Sequence, residues 1–576
     1  MAEDQILPAR KVKLKWKFVI GTFLFLILSI SGVLTYGYFH YGKLIKSFLI
    51  ETVQRGSKGL YHAEIGDIYL NIIEGDLIVR KFELIPDTAL YRKRIGMDTL
   101  SPIMFRLKID HFKIMNFRIY EAISHRRIRI SDIRLIAPEI TVFRMMVSDQ
   151  AKGDRSRDQL ISIPLPKGWN SVLVSNIELK NGKLEYYDFT GDSVFYQAIP
   201  SCSFRITNFL LDSNKITPPR LLNCDDISIR VDSLNLKTKN GLNRLSFGEI
   251  GLSTGERLFY VKDFHLIPLF SRHDYTRKMG YQTDRMDIRV DLVKIHRINL
   301  RELILSGKFQ AGLLEIDSLI LDSYRDKRVP RKQGFRPPLP QEELRKLGFY
   351  LKIDTVVLQN GKAGYSEQVY NEPGSIYFDK MNAVLTGLTN DSALLKAGLV
   401  SELSGSAYLM GNGKLDASLK FDLGNKNNSF TFSARLASFD LREINPMLSK
   451  LLPAEISNGK VQRLIIPQVT ANNQIARGKL LFYYNDLKIK MQTREESTWN
   501  SIKKGVVNFV ANDILINTDN PGKSGKMKTG IIYFQRDQEK GIINFLWKST
   551  LSGLKSTMGF NSKKQKEIKK SDRKRN

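Results

Sequence analysis

One short pattern keeps returning along this chain of 576 residues, and ten copies of it carry the argument: an apolar residue, two residues, an apolar residue, one of any kind, then Leu or Ile. The copies are IGDIYL (65–70), VRKFEL (79–84), IDHFKI (109–114), ISDIRL (130–135), VSNIEL (174–179), VDSLNL (231–236), VKDFHL (261–266), IHRINL (295–300), IDSLIL (316–321) and IDTVVL (353–358). Residues two apart on a strand share a face, so the fourth and sixth positions point the same way. The first position is out of phase by one residue. A β-bulge at the small or polar pair between them restores the phase. Successive copies start 14 to 57 residues apart, which excludes a fixed-period propeller or leucine-rich solenoid. The pattern predicts a mainly β chain: one extended sheet, grown by repeated strand addition, with loops of varied length.

A second element is Asn-Gly-Lys, at Asn181-Gly182-Lys183, Asn360-Gly361-Lys362, Asn412-Gly413-Lys414 and Asn458-Gly459-Lys460. Asn-Gly supplies the positive φ angles of a tight hairpin, so a chain reversal is expected at each. VRKFELIPDTALYRK (79–93) and VKDFHLIPLFSRHDY (261–275) form a longer matching pair. The basic, Pro-rich stretch 325–348 is expected to be a linker between β parts at 61–324 and 349–535, with a short helix from Gln341 to Leu347. Asp440 and Glu443 have the spacing of a capping box. Helical stripes cover 498–511 and 541–558, the latter within an amphipathic segment at 536–560. The tail 561–576, with eight Lys or Arg among 16 residues, is expected to be disordered.

The net charge of +30 favours phosphate-bearing partners: nucleic acid, acidic lipid or lipid headgroups. The run FVIGTFLFLILSISGVLTYGYF (18–39) chooses among them. At 1.5 Å per residue it makes about 33 Å of helix, against a bilayer core of about 30 Å. Arg10, Lys11, Lys13, Lys15 and Lys17 precede it, and only Lys43 and Lys46 follow before Glu51. The expectation is a cytoplasmic tail at 1–17, a transmembrane helix at 18–39 and the remainder outside the cytoplasm. Trp16, Tyr36, Tyr38 and Tyr41 sit where interfacial aromatics belong. A cleaved signal peptide is the rival, disfavoured by the length of the run and the lack of a small-residue cleavage site. Leu44, Ile45, Phe48, Leu49 and Val53 then mark an amphipathic helix at 43–60, close to the membrane. With the body exported, nucleic acid is not among the expected partners.

No Walker loop, dinucleotide fingerprint, nucleophile elbow, CxxC or HExxH occurs. The seven histidines are scattered, and His265 and His296 fall inside copies of the strand pattern. The chain is therefore read as a non-enzyme, without catalytic residues, metal or cofactor. Cys202 and Cys224 lie in the exported part, where a disulfide is permitted; two buried free thiols are the alternative.

Several stretches, taken in order, resemble the AsmA-like family of envelope proteins in the form seen in Bacteroidota. They are SKGLYHAEIGDIYLNIIEGDLIVRKFELIPDT (57–88), YVKDFHLIPLFSRHDY (260–275), DSYRDKRVPRKQGFRPPLP (322–340) and LKIDTVVLQNGKAGYSE (351–367), then FTFSARLASFDLREINPML (430–448), SNGKVQRLII (457–466), GKLLFYYNDLKIKM (478–491) and FVANDILINTDNPGKSGKMKTG (509–530). The resemblance implies an inner-membrane helix followed by an elongated, curled antiparallel sheet in the periplasm. That sheet forms an open groove, with a few short amphipathic helices. The implied role is phospholipid transport between the inner and outer membranes, supporting outer-membrane integrity. This chain is shorter than the larger members, which puts in doubt whether one copy spans the periplasm. Implied partners are phospholipids, the inner membrane, and either the inner leaflet of the outer membrane or an envelope protein. Within the pattern, Ile177, Leu179, Leu319, Leu321, Val356 and Leu358 are the candidates to face the groove. Near the C-terminus, Ile542, Ile543, Phe545, Leu546, Trp547, Leu551 and Leu554 form an apolar stripe beside the basic tail, the arrangement of an interfacial helix. The same stripe would equally cap the end of a sheet. The competing reading of the whole is a structural envelope protein with closed, side-chain-filled β domains and no lipid cargo.

Overall fold

The computed structural model describes residues 43–71, 74–94, 103–145, 168–190, 194–212, 223–452, 454–491 and 517–575. The expected membrane span at 18–39 and the helical stripe at 498–511 lie outside them. Among the described residues, no helix is long and apolar enough to cross a membrane.

In chain order the elements are α1 (Lys43–Gly56), β1 (Tyr61–Ile65), β2 (Ile68–Asn71), β3 (Asp76–Pro86), α2 (Thr88–Arg94), β4 (Ile103–Met115), α3 (Ile119–His125), β5 (Arg127–Ile136), β6 (Glu139–Arg144), β7 (Ser171–Asp188), β8 (Phe195–Asp212), β9 (Asp226–Lys237), β10 (Asn243–Ser253) and β11 (Leu258–Pro268). There follow α4 (Arg272–Met279), β12 (Asp284–His296), α5 (Leu300–Ser306), β13 (Phe309–Asp326), α6 (Pro340–Arg345), β14 (Leu351–Gln368), β15 (Pro373–Thr389), α7 (Ser392–Lys396), β16 (Val400–Leu409), β17 (Gly413–Asp422), β18 (Phe430–Leu436) and β19 (Phe439–Asp440). A 3₁₀ turn (Leu441–Ile444) leads to α8 (Asn445–Leu451), β20 (Ala454–Ala471), β21 (Ile475–Met491), β22 (Thr529–Gln535), α9 (Ile542–Thr557) and α10 (Lys563–Arg575). The chain is mainly β, and its 22 strands belong to a mixed sheet. It divides into two compact units: residues 1–234 with 248–259 and 300–306, and residues 235–247, 260–299 and 307–576.

The bulges are visible in the burial of the first unit. In β3, Leu77 and Val79 are buried, Arg80 and Lys81 are exposed, and burial resumes at Phe82 and Leu84. Odd positions face the core before the bulge and even positions after it. Lys81 takes φ 52° at the switch. The same jump separates Ile109 from Phe112 in β4, Ile130 from Ile133 in β5 and Val174 from Ile177 in β7. Ser233, Asp263, Arg297 and Ser318 also have positive φ, each at the third position of its copy. Ser233, Asp263 and Ser318 accept the left-handed conformation because the bulge needs it and the strand on either side holds it in place, whereas Arg297 follows the last residue of β12.

Asn-Gly-Lys departs from expectation. Only the copy at 412 sits at a reversal, where Leu409 of β16 pairs with Gly413 of β17, and there Met410 and Gly411 carry the positive φ. The copies at 181, 360 and 458 lie inside β7, β14 and β20, which run through them for 17 residues or more. Asn181 (φ 52°) and Asn360 (φ 55°) supply left-handed bulges, not turns, and the pairing slips at Leu179/Gly182 and at Leu358/Gly361. The glycine after each bulge sits in close quarters. A Cβ on Gly182 would stand 2.7 Å from Leu179 Cδ2, and one on Gly361 would stand 3.0 Å from Met381 Cβ and 3.2 Å from Leu358 Cδ2.

The sheet is not purely antiparallel, as had been expected. In the first unit β7 runs parallel to both β5 and β6, and in the second β14 runs parallel to β13. A parallel step needs a long crossover, and that is the role of the stretch read as an interdomain linker. Residues 327–350 carry the chain from the end of β13 to the start of β14, wholly within the second unit. The expected helix there is α6. Gln341 donates to Asn428 O (3.1 Å) and Ser429 O (3.2 Å), and Arg345 to Leu423 O (2.7 Å).

Cys202 and Cys224 are free thiols, so the permitted disulfide is absent. Cys202 pairs with Val231, whereas Asp225, next to Cys224, bonds the backbone of Thr207. Five residues of strand at about 3.3 Å each put the two sites about 16 Å apart along β8, well beyond disulfide reach.

The tail expected to be disordered forms α10. Ser562 and Gln565 make a reciprocal cap: Gln565 N–H donates to Ser562 Oγ (3.3 Å), and Ser562 N–H to Gln565 Oε1 (2.9 Å). Gln565 Nε2 also donates to Ile531 O (2.6 Å), while Ile531 N–H donates to Ser556 Oγ (3.0 Å) and Tyr533 N–H to Ser552 Oγ (3.3 Å). Side chains of α9 and α10 thus satisfy the outer edge of β22, where a bare edge would template further pairing.

Asn360→Gly is expected to leave β14 within about 0.5 kcal/mol of its stability, because glycine accepts the same φ at little cost. Gly361→Val is expected to cost about 1–3 kcal/mol through overpacking. Hydrogen exchange of the β14 and β15 amides reads both.

Candidate lipid-contact face

Register fixes which side chains share a face in the second unit. Ile295, Leu314, Val356, Leu385, Leu403, Leu419 and Phe432 are successive partners across β12 to β18. Val293, Ile316, Leu358, Ala383, Gly405, Ala417 and Ala434 make the next row. The reverse face carries Lys294, Glu315, Val357, Val384, Ser404 and Ser418 in the corresponding row. One face is therefore apolar across seven strands, and the other is mostly polar.

The bulge keeps that face apolar. Leu358 and Gly361 pair with Ala383 and Met381, alternate residues of β15, so both point the same way despite their odd spacing. Leu321 pairs with Ala363, two residues beyond Gly361, and with Ile288 of β12. Leu319 pairs with Val290. Four of the six groove candidates, Leu319, Leu321, Val356 and Leu358, thus share one face. Ile177 and Leu179 belong to the first unit and have a different setting. Ile177 lies between Ile133 and Ile206, 6% exposed in a packed core, and Leu179 packs against that core between Leu135 and Phe204. They are core residues, because β5, β7 and β8 stack apolar side chains at both positions.

The apolar face is covered unequally. Over β18 to β22 it is a closed core in which Phe545 of α9, 1% exposed, sits 6.1 Å from the Phe430 ring and 6.2 Å from Phe534. Helix and sheet touch through glycines: a Cβ on Gly530 would meet Gly553 O at 2.4 Å, and one on Gly553 would meet Leu480 Cδ2 at 2.4 Å. Ile542, Leu546 and Leu554 pack on the same core. This corrects the reading of the C-terminal stripe as one membrane-contact surface. Phe545, Ile542, Leu546 and Leu554 cap the sheet, Leu551 is half-buried, and only Ile543 and Trp547 are strongly exposed. A helix with small residues at Ser549 and Gly553 lies close to the sheet and turns its large side chains inward beside them.

Over β12 to β15 the same face is half-open. Val293, Ile295, Leu314, Ile316, Val356, Leu358 and Leu385 are all partly exposed, and none belongs to the packed cluster that holds α9. Helix α8 approaches these strands at Gly374, beyond the apolar rows, and α4 meets Asp322 and Tyr324 on the reverse face. A shallow depression lies at Leu358, Ala383 and Gly405, where the row narrows to small side chains. A Cβ on Gly405 would stand 2.6 Å from Asn382 O.

The rows end in an ionic band. Arg325 Nε donates to Asp284 Oδ1 (2.6 Å), and Glu367 accepts from Lys327 Nζ (2.5 Å) and from the Tyr365 hydroxyl (2.7 Å). Burial pushes the Tyr365 phenol far above its usual range, and the Glu367 carboxylate beside it adds to the shift. Asp326, almost fully buried, accepts from Arg328 N–H (2.9 Å), Nε (2.9 Å) and Nη2 (2.6 Å). The Arg328 hydrogen bond holds its carboxyl below the usual carboxylate range despite burial. No metal-binding group of three or more acidic, His or Cys side chains occurs among the described residues. His265 pairs with Asp287 (2.9 Å) and His296 with Glu315 (2.7 Å), as ordinary cross-strand contacts.

No protein-family model matches the chain, and no curated protein matches it. The functional reading therefore rests on the face itself.

A carboxylate with a depressed pKa contributes stability that is present above its unfolded value near about 4 and is lost as pH falls through the folded value. Asp326→Asn is expected to destabilise the second unit by about 1–3 kcal/mol at pH 7. The deficit should shrink as pH drops below about 4. Denaturant midpoints of the parent and variant at the two pH values measure this.

Proposed function

We propose that this chain is an inner-membrane-anchored envelope protein of the AsmA-like type. In this reading it holds phospholipid acyl chains along an open β face and supports lipid transport between the inner and outer membranes. The observation that carries the reading is the half-open apolar face of β12 to β15. Two rows of aliphatic side chains continue outward from a packed core and remain partly exposed. Leaving so much contiguous apolar surface uncovered is unfavourable unless something apolar lies on it. An acyl chain fits this surface: it needs no hydrogen-bond partners and can slide along it. The ionic band at Asp284, Arg325, Lys327 and Glu367 would face the polar end of such a molecule. No catalytic role is proposed. The expected membrane helix at 18–39 would fix the chain in the inner membrane, with its body in the periplasm.

The alternative, a closed scaffold without cargo, draws support from the C-terminal end of the second unit, where α9 seals the same face. The two readings part at β12 to β15, where the scaffold requires a dry, filled interior.

Mass spectrometry of lipid co-purifying with the full chain separates them. Three forms are compared after hydrogen exchange confirms that each is folded: the parent, Leu321→Asp/Leu358→Asp on the apolar face, and Val384→Asp on the reverse face. Lipid around residues 18–39 would be common to all three, so the difference is what counts. The expected result is at least about a tenfold loss of bound phospholipid in the double variant alone, since burying two charges against acyl chains costs well over 1.4 kcal/mol. Equal lipid in all three folded forms would favour the scaffold.

A further inference from the structure

The outer side of α9 and the adjoining α10 carry a feature that the apolar face does not need. Ile543 is 76% exposed and Trp547 51% exposed. They are four residues apart and so share one side of the helix, opposite the side that buries Phe545, Ser549 and Gly553. Packing of the helix does not call for a large apolar pair there, since its inner side already meets the sheet. Lys548 is exposed beside Trp547. After a short turn comes α10, with eight Lys or Arg against two acids in 13 residues. Lys563, Lys566 and Lys570 are all exposed. Gln565 fastens the first turn of α10 to the backbone of Ile531 and Ser552, so the cations start from the same body that presents the apolar pair.

We propose that the outer side of α9, together with α10, docks on the surface of an anionic lipid bilayer. Trp547 and Ile543 would enter the headgroup boundary, where an indole places its apolar body below and its N–H at the polar layer. The cations of α10 would lie over acidic headgroups, each contributing to binding while within a Debye length of the surface. The charge decides between a bilayer and a protein partner: a dense run of lysines suits a diffuse anionic surface, whereas protein interface cores are depleted in Lys. The proposal does not depend on acyl chains binding to β12 to β15.

The test holds the full chain in phosphatidylcholine nanodiscs and measures capture on vesicles of phosphatidylcholine with and without phosphatidylglycerol. Capture should require phosphatidylglycerol and weaken with salt. Ile543→Ser/Trp547→Ser should reduce it about tenfold, and each of Lys563→Gln, Lys566→Gln and Lys570→Gln about fivefold. Both substituted faces are solvent-exposed, so the variants should fold, and their co-purifying lipid should match the parent's. Brominated lipid in the vesicles should quench the parent's tryptophan emission more than that of Trp547→Phe. Equal capture on neutral vesicles, or capture and quenching indifferent to these substitutions, would overturn the proposal. So would self-association of the parent that Trp547→Ser abolishes, which would assign the patch to a second copy of the chain.

Discussion

The left-handed bulge is the constraint on which the rest depends. A strand that alternates without interruption keeps one face apolar only if its sequence alternates without interruption. Here the sequence slips by one residue in strand after strand, and many of the slips are absorbed by a left-handed residue, such as Lys81, Ser318 or Asn360 at φ between 52° and 57°. Without the slip at Asn360, Gly361 and Ala363 would sit opposite Leu358, and the apolar rows of β13 to β15 would turn over to the polar side halfway along. The bulge therefore lets strands of up to 18 residues keep a single apolar side, longer than the usual run of about 5–6 residues.

Such a face is costly to leave bare, and the chain itself covers only part of it. Over β18 to β22 it uses its own residues: Phe545 enters between Phe430 and Phe534, and the bare backbones of Gly530 and Gly553 let the helix settle on the strands. The hydroxyls of Ser552 and Ser556, with the Gln565 amide, then close the last edge. Over β12 to β15 aliphatic rows of the same kind are left half-open, and there the proposed cargo replaces the missing layer. The contrast lies within one unit and one continuous set of rows.

Much of this was legible in the sequence. The recurring pattern carried the strands and many of the bulges, because bulged alternation leaves its mark on apolar spacing, but not which face of each strand turns inward. The pair at 79–93 and 261–275 proved to be the same device twice: a bulged strand ending at Pro86 or Pro268, followed by α2 or α4. Spacing paired Leu319 with Leu321 and Val356 with Leu358, and only the register of β13 with β14 puts both pairs on one face. What failed did so for local reasons. Asn-Gly has the φ preference of both a turn and a bulge, and only cross-strand pairing tells them apart. Strand direction is absent from periodicity, so the parallel steps β5–β7 and β13–β14 were missed, and with them the true role of 327–350. The signal for α10, Ser562 with Gln565 three residues later, was present but outweighed by the charge of the tail. Ile177 and Phe545 show the remaining limit: spacing says which residues share a face, not whether another layer lies on it.

The central claim, that the apolar side of β12 to β15 is a surface for acyl chains, is tested most directly by photo-crosslinking in the native membrane environment. A benzophenone amino acid is placed singly at Val356 or Leu358 on that side, and at Val357 or Val384 on the reverse. The account predicts phospholipid adducts at the first two positions and few at the others. Adducts at all four positions alike, or none at Val356 and Leu358 in a folded chain, would contradict it.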